Sequence, residues 1–398
     1  MVLRKVLLDT QKLIYNILTK INDSKYGAIA SMNDLDKLRF CGVLKNKVFA
    51  GPKTVSMHIT NKCNLSCIYC WYYSPLKNDR SFKGSKIFGQ KIKEVDYNFF
   101  KEIIDDCCEL KVERIQLSAQ GEPSMHSRFV DMLDYIKGKG FIISLVTNGT
   151  FEKKLLKHLL KVDEITIDFS ASNPHLYRKI QSHTTKDFFS TVMRNISFFS
   201  ELKNKKKKTP YIKVNYILTS KNYKDLPQFF KLISKFKIDY LNVLNMDPSE
   251  HNLALSLTKE LAEKINSIIN KISKNEYCSK IKSNLWRNKK LFNRFLNKLN
   301  LTPIRPVTCF NGWYYAFITL NGDVTPCCKM KKQLIAGNIY QDSFKTIWHS
   351  KAFAEIRNSG KINLYNHRFK TCDSCCFYKL NQEIYERLNH KSQKRMVN

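Results

Sequence analysis

No stretch of this 398-residue chain is apolar for long enough to cross a bilayer, since a spanning helix needs about 20 such residues. Near the amino terminus Val6-Leu7-Leu8 is cut short by Asp9, so the apolar segment and cleavage site of a secretory signal are both missing. A cytoplasmic, membrane-free protein is the expectation. Acidic residues are also scarce, 34 against 68 Lys and Arg, for a formal charge of +34. Such a balance invites a phosphate-binding reading, either nucleic acid or an anionic substrate such as a nucleotide sugar. The basic residues are mostly Lys and are scattered along the chain, and Asn is abundant too, so compositional bias accounts for the charge equally well. The densest run, Lys203 to Lys208, falls between a helix pattern and a strand and reads as a solvated loop. A disulfide framework is not expected either: thirteen cysteines without an export signal point to a reducing compartment and to metal ligation.

What is present is a tight thiol trio, Cys63-Asn64-Leu65-Ser66-Cys67-Ile68-Tyr69-Cys70, directly after a strand-like run from Lys53 to Thr60. Three thiolates at these spacings can hold three corners of a cubane iron-sulfur cluster and leave the fourth iron without a protein ligand. Structural zinc usually takes two separated pairs, which this trio is not. Spacing, position and the aromatic Tyr69 before the last cysteine resemble the radical S-adenosylmethionine (radical SAM) superfamily. That resemblance implies a [4Fe-4S] cluster whose open iron is chelated by the amino and carboxylate groups of S-adenosylmethionine. It implies reductive cleavage to a 5'-deoxyadenosyl radical that abstracts hydrogen from substrate, with a flavodoxin- or ferredoxin-type electron donor.

From Lys53 onward strand and helix patterns alternate. Val55, Met57 and Ile59 mark a first strand; others are expected at Arg114 to Ser118, Phe141 to Val146, Glu164 to Phe169, Tyr211 to Leu218 and Tyr240 to Leu244. Between the first two, Phe99, Ile103, Cys107 and Leu110 form one apolar helix stripe, so Cys107 reads as a core thiol and Cys108 as incidental. Six strand-helix units predict an α/β fold, a parallel sheet curled into a partial (β/α)6 barrel, with ligands at the carboxyl ends of its strands. The expected divisions are a helical extension over 1–50, marked by Leu7, Leu8, Leu13, Ile14 and Ile17, the barrel over 51–250, a helical bridge over 251–305 ending at Pro303 and Pro306, and a last domain over 306–398.

Motifs fall at the strand ends. After strand two comes Gln120-Gly121-Glu122-Pro123, similar to the family's Gly-Gly-Glu-Pro with Gln120 in place of the first glycine; the resemblance gives Gly121, Glu122 and Pro123 the amino group of S-adenosylmethionine. Strand three ends in Thr147-Asn148-Gly149, where Asn-Gly by itself is also an ordinary turn. By resemblance Asn148 and Ser170 serve the cofactor, with polar strand ends facing the ribose. Arg178 has the forked guanidinium suited to the methionyl carboxylate, although a surface role fits it nearly as well. Strand five carries Asn215 and leads to Asn222, and the backbone at Val243 and Leu244 is placed to meet the adenine edge. Trp71 to Pro75 shield the cluster, line a cavity or simply pack. His58, His126, Asp168 and Asp247 lie near strand ends, but none is singled out as a catalytic base.

A second cysteine system closes the chain. Cys309 is followed by Gly322 and Cys327, with Thr319 to Val324 reading as a hairpin with a glycine turn, and Cys372 and Cys375 form a distant pair. Four thiolates close a cluster with no open iron, and zinc tolerates the same four. With Gly337-Asn338-Ile339, Ile347-Trp348 and Arg357, the pattern resembles the SPASM or shorter twitch auxiliary domain, which implies one auxiliary [4Fe-4S] cluster. Cys328 and Cys376 adjoin proposed ligands and compete for their roles; Cys41 and Cys278 are structural or surface thiols. The reading is a radical SAM oxidoreductase acting on a sugar-, cyclitol- or peptide-type substrate, its auxiliary cluster taking up an electron. The alternative is a non-catalytic iron-sulfur or zinc protein that binds nucleic acid.

Overall fold

The structure is a computed structural model, and it describes residues 32–76, 93–182, 184–246, 250–285, 308–329, 334–362, 372 and 375–389. The apolar pattern at Leu7 to Ile17, the bridge beyond residue 285, Pro303, Pro306 and Asp247 lie outside the described residues. The chain divides into two compact units. One takes the described residues up to Ser56, Glu102–Arg114 and those from residue 308 onward; the other takes Met57–Lys101 and the described residues from Ile115 to residue 285.

The second of these units is the α/β partial barrel. Its strands are β1 (Thr54–His58, which begins in the other unit), β2 (Arg114–Ser118), β3 (Ile142–Thr147), β4 (Glu164–Asp168), β5 (Tyr211–Leu218) and β6 (Tyr240–Asn245), in the order β6-β5-β4-β3-β2-β1. The pairs β3/β4, β4/β5 and β5/β6 are parallel. The expected strand three lies one residue too early, because Thr147 belongs to the strand and Phe141 does not.

Alternation sorts the strands' side chains onto two faces. Ile165 and Ile167, Ile212, Val214 and Tyr216, and Leu241 and Val243 are all buried. Tyr216 lies 4.6 Å from Phe229 of the helix Leu226–Ile233, a contact whose aromatic burial contributes about 1.5–3 kcal/mol per ring. The opposite face carries polar rows along β4 to β6 and the apolar Ile217 and Leu244 at its end. In register across β4, β5 and β6 run the rows Asp168, Asn215, Asn242 and Thr166, Lys213, Tyr240, and Lys213 pairs with Glu164 at 2.8 Å.

Lys282 and Asn284, within the segment read as a helical bridge, pair with β6. Leu241 N–H donates to Lys282 O (2.8 Å), and the Asn284 side chain both accepts from Val243 N–H (2.9 Å) and donates to Val243 O (2.8 Å). The edge of β6, a row of backbone groups that would otherwise need another partner, is thereby capped.

In the other unit are β7 (Tyr315–Ile318), β8 (Asp323–Thr325) and β9 (Gly337–Asn338), with β7/β8 and β8/β9 antiparallel. Gly322 turns the hairpin at φ +89°, and a side chain there would collide with Tyr340 and Asn338. The helix Asp34–Lys45 packs Leu38, Phe40, Cys41 and Val43 against Phe310, Trp313, Tyr314 and Ile384. Its Arg39 is 1% exposed and bonds Asp36, Glu113 and the carbonyl of Gly51. Arg357 is likewise structural: it lies 4.3 Å from the rings of Trp348 and Phe353 and donates to the carbonyls of Gly312 and Trp348, both at 2.7 Å. Burial pulls its pKa down to about 9.

Candidate active site

In the barrel unit the thiol loop leaves the carboxyl end of β1 and is held from several sides. Leu65 and Ile68 anchor it in the core, and Cys70 N–H closes a turn on Cys67 O at 2.9 Å. Ile68 N–H donates to Ile180 O (2.9 Å) and Ser66 Oγ to Ser182 O (3.3 Å), which stitches the loop to the π-helical turn Arg178–Ser182. The backbone N–H groups of Tyr72 and Tyr73 point at Cys70 Sγ, at 3.4 and 3.3 Å; such bonds tune a cluster's reduction potential. Of the aromatics after the trio, Tyr73 packs in the core and its hydroxyl bonds Asn61 O, whereas Trp71 and Tyr72 stay half-buried.

Gly121, Glu122 and Pro123 lie against the chain leaving β1. Gly121 N–H donates to Thr60 O (3.2 Å) and Glu122 N–H to Lys62 O (2.6 Å), and a Cβ on Gly121 would sit 1.9 Å from Lys62 O. Glycine is required at 121 for that approach. Gln120 is not among the residues with positive φ, so its side chain sits there without backbone strain. Glu122 is 1% exposed. Its Oε1 accepts from Ser124 Oγ and Thr147 Oγ1, both at 2.7 Å, and Oε2 from Asn148 N–H at 2.7 Å. Burial nevertheless pushes the Glu122 carboxyl above its ordinary pKa.

Asn148 joins the same region through a ring of side chains that sequence reasoning did not find. It donates to Asn64 Oδ1 (2.9 Å), Asn64 donates to Thr150 Oγ1 (2.7 Å), and Thr150 Oγ1 returns to Asn148 Oδ1 (2.6 Å). The ring ties the first gap of the thiol trio to the end of β3; its only signal in the sequence was polarity at two strand ends. Gly149 adopts φ +74°, as the Asn-Gly turn predicts.

Ser170 is fully buried, accepts from Ile217 N–H at 2.9 Å, and lies 3.5 Å from the Tyr69 hydroxyl. Asp168 is bonded by Asn215 Nδ2 (2.8 Å), and Asn242 Nδ2 reaches Asn215 Oδ1 (3.2 Å). Burial, with Glu122 adding to it, pushes the Asp168 carboxyl up to about 6. Arg178 does not join them: it is exposed, and its charge is felt by Asp187. His126 is buried, with Nε2 2.9 Å from Val95 O and Nδ1 accepting from Arg128 N–H, a structural histidine. His58 meets Tyr72 edge to face at 6.4 Å. Asn222 braces Ser170 O and Ile217 O. His251, which the sequence reading passed over, lies 3.0 Å from Cys70 O, and Asn252 reaches Tyr69 O at 3.4 Å.

The second thiol site belongs to the other unit. Cys309 N–H donates to Gly360 O (3.0 Å); the buried Asn381 accepts from Phe310 N–H (2.7 Å) and lies 3.9 Å from Cys375 Sγ. Asn381 thus fixes the two thiols relative to one another, and nothing in the spacing revealed it. Cys375 is within electrostatic reach of Cys309, Cys372 and Cys376. Cys328 and Cys376 have their sulfurs 3.9 Å apart, so six thiols, not four, share this region. Cys41 and Cys278 are buried and pushed up to about 11 by that burial, which makes them core thiols; Cys107 is buried and Cys108 exposed.

The donors fit iron-sulfur clusters. Burial pushes Cys63 up to about 12 and Cys67 well above its ordinary value, and each of the three rim thiols is raised further by, or raises, another of the trio. Burial pushes Cys309 and Cys375 up to about 12 as well. A positive metal core is what holds such thiols as thiolates. Among the described residues no group of three or more His, Cys, Asp or Glu side chains is arranged to hold a single metal ion.

Residues 57–233 match the sequence profile of the radical SAM superfamily, and residues 309–376 match that of SPASM, an iron-sulfur cluster-binding domain. A tungsten-containing aldehyde ferredoxin oxidoreductase cofactor-modifying protein of Pyrococcus furiosus is 23% identical over 347 residues, which is 81% of this chain and 87% of that protein. The antilisterial bacteriocin subtilosin biosynthesis protein AlbA of Bacillus subtilis is 21% identical over 355 residues, 86% of this chain and 71% of AlbA. Among solved structures, Streptococcus suis SuiB aligns with a TM-score of 0.57 at 14% identity. With S-adenosylmethionine bound the alignment covers 95% of this chain and 84% of SuiB, and with the precursor peptide SuiA bound, 88% and 79%. The SuiB likeness shows the fold.

Proposed function

We propose, for a chain that belongs to the radical SAM superfamily and carries a carboxy-terminal SPASM domain, that it is an oxidoreductase acting on a peptide-type substrate. The observation that carries this reading is the seating of Glu122 against the start of the Cys63, Cys67 and Cys70 loop, its N–H on Lys62 O at 2.6 Å at the strand ends of the partial barrel. When bound there, a [4Fe-4S] cluster with S-adenosylmethionine supplies a 5'-deoxyadenosyl radical by one-electron reductive cleavage, the electron coming from a flavodoxin- or ferredoxin-type donor.

The protein's own part is to bind and orient. Cys63, Cys67 and Cys70 hold three irons; Glu122 presents Oε2, which has one donor in Asn148 N–H, to the cofactor's ammonium. The ring of Asn64, Asn148 and Thr150 keeps the loop and β3 in register. Asn215 and Asn242 bond one another and Asp168 on the face of the sheet that carries the polar rows. Cys309, Cys327, Cys372 and Cys375 hold the auxiliary cluster. A fully ligated cluster cannot bind substrate without losing a thiolate, so we assign it uptake of the second electron. SuiB is known with a precursor peptide bound, and AlbA serves bacteriocin biosynthesis; both favour peptide over sugar or cyclitol. The two profile matches leave the nucleic-acid-binding alternative unsupported.

The test is anaerobic reconstitution followed by reduction in the presence of peptides, nucleotide sugars or aminocyclitols. We expect 5'-deoxyadenosine to rise with a peptide. A rise only with a sugar or cyclitol would overturn the substrate class, and bound zinc with no cleavage would overturn the enzyme.

A further inference from the structure

Tyr177 is 1% exposed, and its hydroxyl has no hydrogen-bond partner among the described residues. The ring packs against Phe169 at 5.7 Å and edge-on against Phe189 at 6.0 Å. An unanswered buried hydroxyl costs about 1–3 kcal/mol, and phenylalanine would fill the same space without that cost. No side chain or backbone group among the described residues answers it, which leaves the hydroxyl open to a bound group. Tyr177 directly precedes the π turn whose Ile180 and Ser182 carbonyls hold the thiol loop, and the ionisable groups within its electrostatic reach are Cys67, Cys63 and Glu122.

We propose that the Tyr177 phenol is a cofactor-binding residue that donates its hydrogen bond to the α-carboxylate of S-adenosylmethionine. The inference rests on the reading of Glu122 as the partner of the cofactor's ammonium. In an α-amino acid both groups hang on one carbon, so a site that holds the ammonium on Glu122 requires a carboxylate donor close by. Arg178 is exposed. A neutral hydroxyl does this work without burying a second charge, which an arginine in its place would have to do.

The decisive variant is Tyr177→Phe, which keeps the ring. The metal-free variant should melt at the temperature of the metal-free wild type or above it, because the orphaned hydroxyl is gone. On reconstituted, oxidised enzyme, equilibrium dialysis should show the Kd for S-adenosylmethionine raised about tenfold or more, as loss of a hydrogen bond to a charged group predicts. The Kd for decarboxylated S-adenosylmethionine should be the same in variant and wild type, and the spectrum of the reduced cluster without cofactor should not change. Equal affinity for S-adenosylmethionine in variant and wild type would overturn the assignment, as would an equal loss for both ligands. A shifted cofactor-free cluster spectrum would give the hydroxyl to a cluster sulfide and overturn it too. A wild-type enzyme that binds no S-adenosylmethionine at all would overturn the function proposed above along with it.

Discussion

Gln120 and Gly121 are neighbours in one motif, yet they are constrained by different physics. Gln120 has ordinary backbone angles, while Gly121 sits where any Cβ would strike the Lys62 and Asn61 backbone. The unusual residue is therefore the tolerant one. Restoring the family's glycine with Gln120→Gly should change stability by less than about 1 kcal/mol, the usual backbone-entropy cost of glycine, and leave the Kd for S-adenosylmethionine unchanged. Gly121→Ala must push the loop off the exit of β1; we expect a loss of at least about 2 kcal/mol, typical of forced overpacking, with cofactor binding weakened more than tenfold. Urea denaturation and equilibrium dialysis on both variants check the contrast.

At the scale of the element, the helix Asp34–Lys45 shows how a segment without a clean apolar stripe still becomes a buried helix. Asn33 caps it, accepting from Asp36 N–H, and Asn46 ends it in a left-handed turn. Its inward face carries Arg39, which no hydrophobic pattern would place inside. The guanidinium is admitted because Asp36, Glu113 and two carbonyls meet it. Arg39→Ala should cost about 3 kcal/mol, since removing one member of a buried pair leaves its partners uncompensated. Asp36 and Glu113 keep some exposure to water, which holds the value at the low end of that range. A denaturant midpoint shift at unchanged slope would establish it; a loss below about 1 kcal/mol would show the network to be ornamental.

For the whole molecule the question is how many clusters the thirteen cysteines support. Two cubanes require about eight irons per chain, and iron analysis with electron paramagnetic resonance should find them after reconstitution. Replacing Cys63, Cys67 and Cys70 together by Ala should halve the iron and abolish S-adenosylmethionine binding. Replacing Cys309 and Cys375 should also halve the iron but leave binding intact. Because Cys328 and Cys376 lie sulfur to sulfur at 3.9 Å, single Ser variants at 327, 328, 375 and 376 decide which of each adjacent pair is the ligand: only a ligand's loss removes the second cluster.

Much of this was legible in order along the chain because its causes are local. Cysteine spacing, strand alternation, the Asn-Gly turn and the glycine of the hairpin act over a few residues, and the expected barrel and hairpin are there. The face that each strand turned inward, the polar row Asp168, Asn215 and Asn242, and the capping of β6 by Lys282 and Asn284 were settled only by the fold. Those are partnerships across dozens of residues, and no local pattern encodes them. The same holds for Arg39, Asn64, Asn381 and the unanswered Tyr177 hydroxyl: burying a polar group is decided by who meets it, and that is a property of tertiary structure alone.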